Sequence, residues 1–292
     1  MTRDNSQKTV LITGTASGMG RLTAFAAAEA GMHVIGVDFD TTNGEATRVE
    51  AIERSGNPNV DFIECDVSSF SAVRDLARTI DENYPRLDIL VNNAGITESV
   101  RRESADGYEM TMATNFLGPF LLTNLLLDKL RASTPARIIN ISSDAHNMAQ
   151  GLDWDDIDNR RKWKGVNHGC GFKAYARSKL CMCAFSYDLA EILDGTGVTV
   201  YCVSPGYFIK TNVFRHVRGV MALGVKLTKP FMQSVESGSK THIYLTTDPD
   251  LDGPTGKYWE HCKLKKSSKY THDTELRCRI WEYALEATGL SG

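Results

Sequence analysis

The sequence predicts an α/β fold: a doubly wound parallel sheet of seven strands, folded as one domain over residues 1–292. Two observations lead there. Short apolar runs alternate with amphipathic stretches through roughly the first two hundred residues, the rhythm of parallel strands joined by crossover helices. No internal repeat or low-complexity linker interrupts that rhythm, and 292 residues suffice for one large domain that buries roughly three quarters of its unfolded surface. Right-handed crossovers then put helices on both faces and open a crevice at the carboxyl ends of the strands.

The elements follow in chain order. A first apolar strand, Thr9–Thr13, runs into a glycine-rich turn and a helix over Gly18–Ala30. The second strand, His33–Asp38, is followed by a helix near Thr42–Arg54, and the third, Val60–Cys65, by one over Phe70–Asn83. Ile89–Asn92 forms the fourth strand, and the long apolar stretch after it predicts a helix over Asp106–Arg131. Strands at Arg137–Ser142 and Val198–Val203 flank a helix over Lys173–Leu193. A helix over Ser234–Thr246, a seventh strand at Gly256–Glu260 and a last helix near Thr274–Thr288 complete the pattern. Two stretches stand outside the rhythm. One is a charged loop insert over 147–172, and the other, 207–233, is rich in Val, Leu, Phe and Met and reads as a substrate lid.

Composition excludes several classes. With a net charge of −3 and no dominant basic face in the sequence, a nucleic-acid footprint is not expected. The seven cysteines, at 65, 170, 181, 183, 202, 262 and 278, have no C-x-x-C spacing, so neither a disulfide framework nor a zinc site is indicated and a reducing, cytoplasmic setting fits. The start of the chain is polar and lacks the apolar core of a secretory signal. The longest apolar run, Phe116 to Leu127, is broken by Pro119 and Asn124 and is too short to span a bilayer, so no integral membrane segment is expected. Asp153, Asp155, Asp156 and Asp158 lack the glycine and glutamate that complete a calcium loop and read as a solvated segment. His168 and Cys170 are too isolated for a metal site.

Chemistry concentrates at the predicted strand ends. Thr13-Gly14-Thr15-Ala16-Ser17-Gly18-Met19-Gly20 follows a strand and opens a helix, where glycines let the backbone approach a pyrophosphate that the free helix N–H groups can bind. Asp38 closes the second strand about 20 residues later, where a carboxylate can hold both ribose hydroxyls of adenosine, and no basic residue follows it. Repulsion of an added phosphate, on the order of 2 to 4 kcal/mol, makes the expected cofactor NAD. Asp66, after Cys65, can bond an adenine amine or simply stabilise a turn. Asn92-Asn93-Ala94-Gly95 ends strand four with small residues against which a cofactor can lie, although asparagines also tie turns. Asn115 lies mid-helix, an unfavourable place explained by a kink, a relay water or a satisfied core amide. Ser143 can bond a substrate oxygen, with Ser142 as its competitor. In Tyr175-Ala-Arg-Ser-Lys179, the spacing of four puts phenol and ammonium on one helix face. The cation is expected to lower the phenol from its usual pKa near ~10, so that it exchanges a proton near neutrality.

Taken together and in this order, these residues resemble the short-chain dehydrogenase/reductase superfamily over almost the whole chain, including its T-G-x-x-x-G-x-G spacing and Rossmann-type fold. The resemblance implies a catalytic tetrad of Asn115, Ser143, Tyr175 and Lys179. It implies pyrophosphate contacts from Gly14, Ser17, Gly18 and Met19, an adenine pocket at Asp66 and Val67, and a central cofactor bed at Asn92, Ala94 and Gly95. Pro205 and Gly206 join the cofactor set, with Asp38, Tyr175 and Lys179. In this scheme Tyr175 exchanges the proton, Lys179 lowers its pKa and holds the nicotinamide ribose, Ser143 orients the substrate oxygen, and Asn115 holds a relay water. The run from Asn115 through Leu126, Ser143-Asp-Ala-His146 and Thr255-Gly-Lys-Tyr-Trp259 look like the retinol dehydrogenase-like branch. That branch acts on hydrophobic alcohols and carbonyls, many of its members with an Arg after the acidic position and NADP as cofactor. This chain has no such Arg, its interval from Ser143 to Tyr175 is long, and Thr211 comes one residue late after Pro205-Gly206.

The expected function is therefore an NAD-dependent oxidoreductase for a mainly hydrophobic alcohol or carbonyl. The alternatives are a catalytically silent nucleotide-binding or scaffold protein on the same fold, and an NAD-dependent epimerase or dehydratase. A homodimer or homotetramer is expected through the helices carrying Asn115 and Tyr175, with Leu122, Leu126, Phe185 and Leu189 as interface candidates.

Overall fold

The structure is a computed structural model that describes residues 8–164, 169–206, 209–210, 217–228, 232–251 and 253–290. Much of the expected lid over 207–233, including Tyr207 and Phe208, lies outside them.

Strands β1 (Thr9–Thr13), β2 (His33–Asp38), β3 (Val60–Glu64), β4 (Ile89–Asn92), β5 (Ala136–Ile141), β6 (Val198–Ser204) and β7 (Lys257–Glu260) form a parallel sheet. Its order is β3-β2-β1-β4-β5-β6-β7, closed by an antiparallel edge strand, β8 (Lys263–Lys265). The β1 residues are all buried, as a sheet covered on both faces requires. Alternation along β1 divides the core: Leu11 faces one cluster, while Val10 and Ile12 face the other. Helices α1 (Gly18–Glu29), α2 (Thr41–Ser55) and α9 (Val235–Thr247) supply the second cluster. The first cluster lies under α3 (Phe70–Asn83), the broken helix that follows β4, α7 (Cys170–Ile192) and α10 (Thr274–Thr288). The winding reverses between the neighbours β1 and β4, and a crevice opens there at the carboxyl ends of the strands.

The structure corrects three expectations. The sheet has eight strands among the described residues, because His261 and Cys262 both take left-handed backbone (φ 50 and 56) and turn β7 back on itself. Nothing in Lys-Leu-Lys announces that strand, whose residues are all exposed and whose charges suit a sheet edge. The single helix expected over Asp106–Arg131 is divided into α4 (Met110–Met112), a π-turn at Ala113–Leu117, α5 (Gly118–Leu125) and α6 (Leu127–Ala132). The wide turn lets Gly118 pass the carbonyl of Val67 so closely that a Cβ there would lie 1.8 Å from its oxygen. Thirdly, Leu122, Leu126, Phe185 and Leu189 are all buried within the chain and cannot serve as an interface. The C-terminal helix covers this region, with Trp281 packed 5.2 Å from Phe120 and 5.7 Å from Phe185.

In the insert, Asp156 is buried and accepts backbone N–H groups from Arg161 and Lys162, so this part of the acidic run organises the loop. The segment 219–228 holds α8 (Gly219–Thr228). Among the described residues no helix is long and apolar enough to cross a membrane. Nor does any group of three or more His, Cys, Asp or Glu among them form a possible metal site.

Candidate active site

A cleft of about 630 Å³ lies at the carboxyl ends of the central strands. At one end the glycine loop forms its floor. Gly14 has φ +79, and a Cβ on Gly20 would lie 2.2 Å from the Gly14 carbonyl oxygen, so the first turn of α1 packs directly on the loop. Ser17 makes no capping bond and no acidic residue occupies the first turn of α1, which keeps this helix end suited to an anion. The Asp38 carboxylate accepts the Ala16 N–H at 2.9 Å and the Asp40 N–H at 3.1 Å, which fixes it at the cleft wall beside Phe39. Asp66 and Val67 face the same end, and Asp66 also accepts the backbone N–H and hydroxyl of Ser68 at 2.9 and 2.7 Å.

Across the cleft floor, Ala94 and Gly95 line the cavity together with Asn93. Asn92 does not line it, which corrects its expected place in the cofactor bed. Its amide is buried in a ladder, donating to Thr123 at 2.9 Å and to Asn140 at 2.8 Å, while Asn140 donates to Ser186 at 3.0 Å. That ladder joins β4 and β5 to α5 and α7. Asn93 donates instead to the carbonyls of Thr13 and Gly14, tying the floor to the glycine loop.

At the far end, Ser143, Tyr175 and Lys179 converge. Ser143 accepts the Ala145 N–H at 3.2 Å and stands close enough to the Tyr175 phenol to lower its pKa, whereas Ser142 donates to the Lys179 carbonyl at 2.9 Å. The competition between the two serines thus resolves by which face of the strand end each occupies. Lys179 is 3% exposed; its ammonium donates to the Ile141 carbonyl at 2.8 Å and sits 5.8 Å from the Tyr175 ring centre. Burial pushes this ammonium down to about 8. Burial also raises the Tyr175 phenol above its usual value, opposed by the nearby Ser143 hydroxyl, so the lowering expected from Lys179 is not realised. The physical reason is that desolvation of the whole site outweighs a cation at this distance.

Asn115 is buried in the π-turn and does not line the cleft. Its carbonyl oxygen accepts the Ile96 N–H at 2.8 Å, and its amide donates to the Ile96 carbonyl and the Ser178 hydroxyl, both at 3.0 Å. Both amide hydrogens are spent, so the relay water expected on this amide has no donor there. The side chain instead clamps the loop after Gly95 to the helix bearing Tyr175.

A family model described as short chain dehydrogenase matches residues 8–152. Human retinol dehydrogenase 13 is 35% identical over 288 residues, spanning 97% of this chain and 85% of that protein. The chain belongs to the short-chain dehydrogenase family. Human polyprenol dehydrogenase is 33% identical over 97% of this chain and 86% of its own length. A solved Pseudomonas aeruginosa RhlG/NADP active-site complex matches with a TM-score of 0.66 and 27% identity, covering 92% of this chain and 99% of that one. The relatives place the chain with the retinol dehydrogenase-like branch. Family membership makes the protein an oxidoreductase on a fold that binds a nicotinamide cofactor.

For a short-chain dehydrogenase, the cleft holds further residues that the sequence reading passed over. Glu98 and Arg102 line it and form an ion pair at 3.1 Å. Asp144, also in the wall, accepts the Tyr258 hydroxyl at 3.0 Å and lies 3.5 Å from Lys265 of β8, which also pairs with the buried Glu260. Pro205 and Gly206, which the sequence already places in the cofactor set, also line the cleft, and Gly206 (φ +95) abuts the His261 ring, which would stand 3.2 Å from a Cβ. The i,i+4 charge pair Glu98–Arg102 carried a legible signal; the Asp144–Lys265 contact, across 121 positions, carried none.

Proposed function

We propose that this short-chain dehydrogenase is one catalytic domain that oxidises mainly hydrophobic alcohols, or reduces their carbonyls, with NAD as preferred cofactor. The observation that carries the reading is the convergence of Ser143, Tyr175 and Lys179 at one end of a cleft whose other end presents the glycine loop and Asp38. The close-packed Gly14 and Gly20 and the uncapped start of α1 fit a bound dinucleotide. Gly14, Ser17, Gly18 and Met19 would hold its pyrophosphate, Asp38 its adenosine ribose, Asp66 and Val67 its adenine, and Ala94, Gly95, Pro205 and Gly206 its nicotinamide half. When bound, the nicotinamide accepts or supplies the hydride.

The chain's own residues handle the proton. Tyr175 exchanges it with the substrate oxygen; among the described residues its phenol is the one that lines the cleft beside Ser143. Ser143, whose oxygen is already held by Ala145, directs its hydrogen towards the phenol or the substrate oxygen and so favours charge there. Lys179 supplies positive charge behind Tyr175, and its position is fixed by Ile141. Asn115 is a positioning residue that fixes Ile96 and Ser178 around this group. The support for NAD is electrostatic: a carboxylate already fixed on the loop stands where an added ribose phosphate would bring negative charge, and Phe39 follows it rather than a cation. Apolar wall residues Ile96, Met110, Met148, Phe172 and Ile209 support a hydrophobic substrate. Cytoplasmic placement is supported by the seven cysteines, which form no disulfide with one another. The homodimer or homotetramer has no support from the four leucine and phenylalanine side chains, which one chain covers by itself.

Tyr175→Phe tests the reading. It removes the exchangeable proton and keeps the ring, so turnover is expected to fall about 10²- to 10⁴-fold while NAD still binds. Near-native kcat in this variant would end the assignment and favour another proton donor.

A further inference from the structure

We propose that Arg102 is the specificity-determining residue of the substrate end, and that the preferred substrate is an apolar chain carrying a carboxylate remote from its reacting alcohol or carbonyl. This rests on the reading of the cleft as an alcohol/carbonyl site.

The charged side chains that line the cleft among the described residues are Asp38, Asp66, Glu98, Arg102, Asp144 and Lys179. Four of the other five are committed to fixed protein partners. Asp38 is held by the loop amides, Asp66 by Ser68, Asp144 by Tyr258 and Lys265, and Lys179 by Ile141. Glu98, 3% exposed, accepts from Nη1 of Arg102 at 3.1 Å. The Arg102 side chain itself is half-exposed, and its Nε and Nη2 edge has no protein partner among the described residues. A guanidinium that lines the cleft, is anchored through one nitrogen by a buried carboxylate and is half-exposed on the rest of its side chain can accept a second planar anion bidentately.

The anchor is rigid. A Cβ on Gly171 would stand 1.8 Å from the Glu98 carbonyl oxygen, so α7 presses directly on that backbone. The Arg102 carbonyl accepts the N–H of Met110, itself a wall residue, at 2.9 Å. Ordering the guanidinium in advance lowers the entropy lost when a ligand binds. Charge balance selects the anion. Glu98 already offsets the charge of Arg102, so a carboxylate monoanion meets less repulsion beside Glu98 than a phosphate dianion does, and the site suits the monoanion better. Ile96, Met110, Met148 and Phe172 supply apolar wall for the intervening carbons.

The test separates binding from turnover. Decanoate and the neutral decanamide are titrated by calorimetry into the protein saturated with NAD, for the native chain and for Arg102→Met, Arg102→Gln and Arg102→Lys. In the native protein decanoate is expected to bind about tenfold to a hundredfold more tightly than the amide, the range for a charge-assisted pair. That ratio should collapse towards about one in the Met and Gln variants and be partly kept by Lys, which supplies charge without the fork. Equal affinities in the native protein, no binding of either ligand, or a preference that survives both neutral variants overturns the proposal. A kinetic arm compares kcat/KM for an ω-hydroxy fatty acid with that for its methyl ester. Turnover of neither compound would count against the alcohol/carbonyl reading, while the binding ratio still decides Arg102.

Discussion

Replacing Lys179 by methionine is expected to destroy activity and yet make the protein more stable at neutral pH. The ammonium is held in the folded chain at about 8, against 10.5 for a freely solvated lysine, because burial disfavours its charged form. The unfolded chain therefore binds this proton more tightly than the folded one. Below about pH 8 the folded state carries the full penalty, and the penalty fades as pH rises from about 8 to 10.5. A displacement of about 2.5 at roughly 1.4 kcal/mol per pH unit amounts to about 3 kcal/mol. Methionine fills similar volume without the charge but leaves the Ile141 carbonyl short of one donor, a loss of about 1 kcal/mol. The net gain at pH 7 is about 2 kcal/mol. With an unfolding entropy of roughly 2.1 cal/mol/K per residue, a chain of 292 residues should show a rise in Tm of about 3 °C. At pH 10 the remaining penalty is close to the value of the lost hydrogen bond, and the rise should shrink to about zero. Thermal denaturation followed by circular dichroism, without cofactor, at both pH values measures this. A lower Tm for Lys179→Met at pH 7, or a gain that is as large at pH 10, would refute the argument from desolvation.

Three further outcomes are expected. Asp38→Ala should lower kcat/KM with NAD and narrow its advantage over NADP by about tenfold or more, and equal values for the two cofactors in the native enzyme would reject the electrostatic account. His242, buried in α9 with neither ring nitrogen hydrogen-bonded among the described residues, is held down to about 3, chiefly by burial and then by Lys179. Its neutral form therefore contributes stability above about pH 6.5 that is lost as pH falls towards 3, at up to roughly 1.4 kcal/mol per pH unit, and His242→Met should flatten that acid limb in urea titrations. An unchanged acid limb would mean that water reaches the ring. Gly118→Ala should destabilise the chain by about 3 kcal/mol, since its Cβ meets a backbone oxygen that cannot turn away. Neutral denaturation behaviour would show that α5 and the segment after β3 are not so closely packed.

Local chemistry fixed a large part of this protein from the sequence alone. Alternation of apolar runs placed seven strands in register with glycine, aspartate and serine at their ends, because a side chain's face follows from spacing within its own element. The spacing of four likewise put Tyr175 and Lys179 on one side of α7, and the strand–glycine–helix succession put Gly14 and Gly18 at a helix start. Choices between adjacent residues needed the tertiary structure. Asn93 rather than Asn92 faces the cleft, and Ser143 rather than Ser142 meets Tyr175, because partners far along the chain, Asn140 and Lys179, claim the other member of each pair. The pKa of Tyr175 followed the same rule: helix spacing supplied the cation, but burial by the whole site decided the direction. Strand β8 carries too little apolar pattern to be read, and it forms because β7 turns back through two left-handed residues. Spacing is a property of one segment; burial and hydrogen-bond choice are properties of every segment that arrives at the same place.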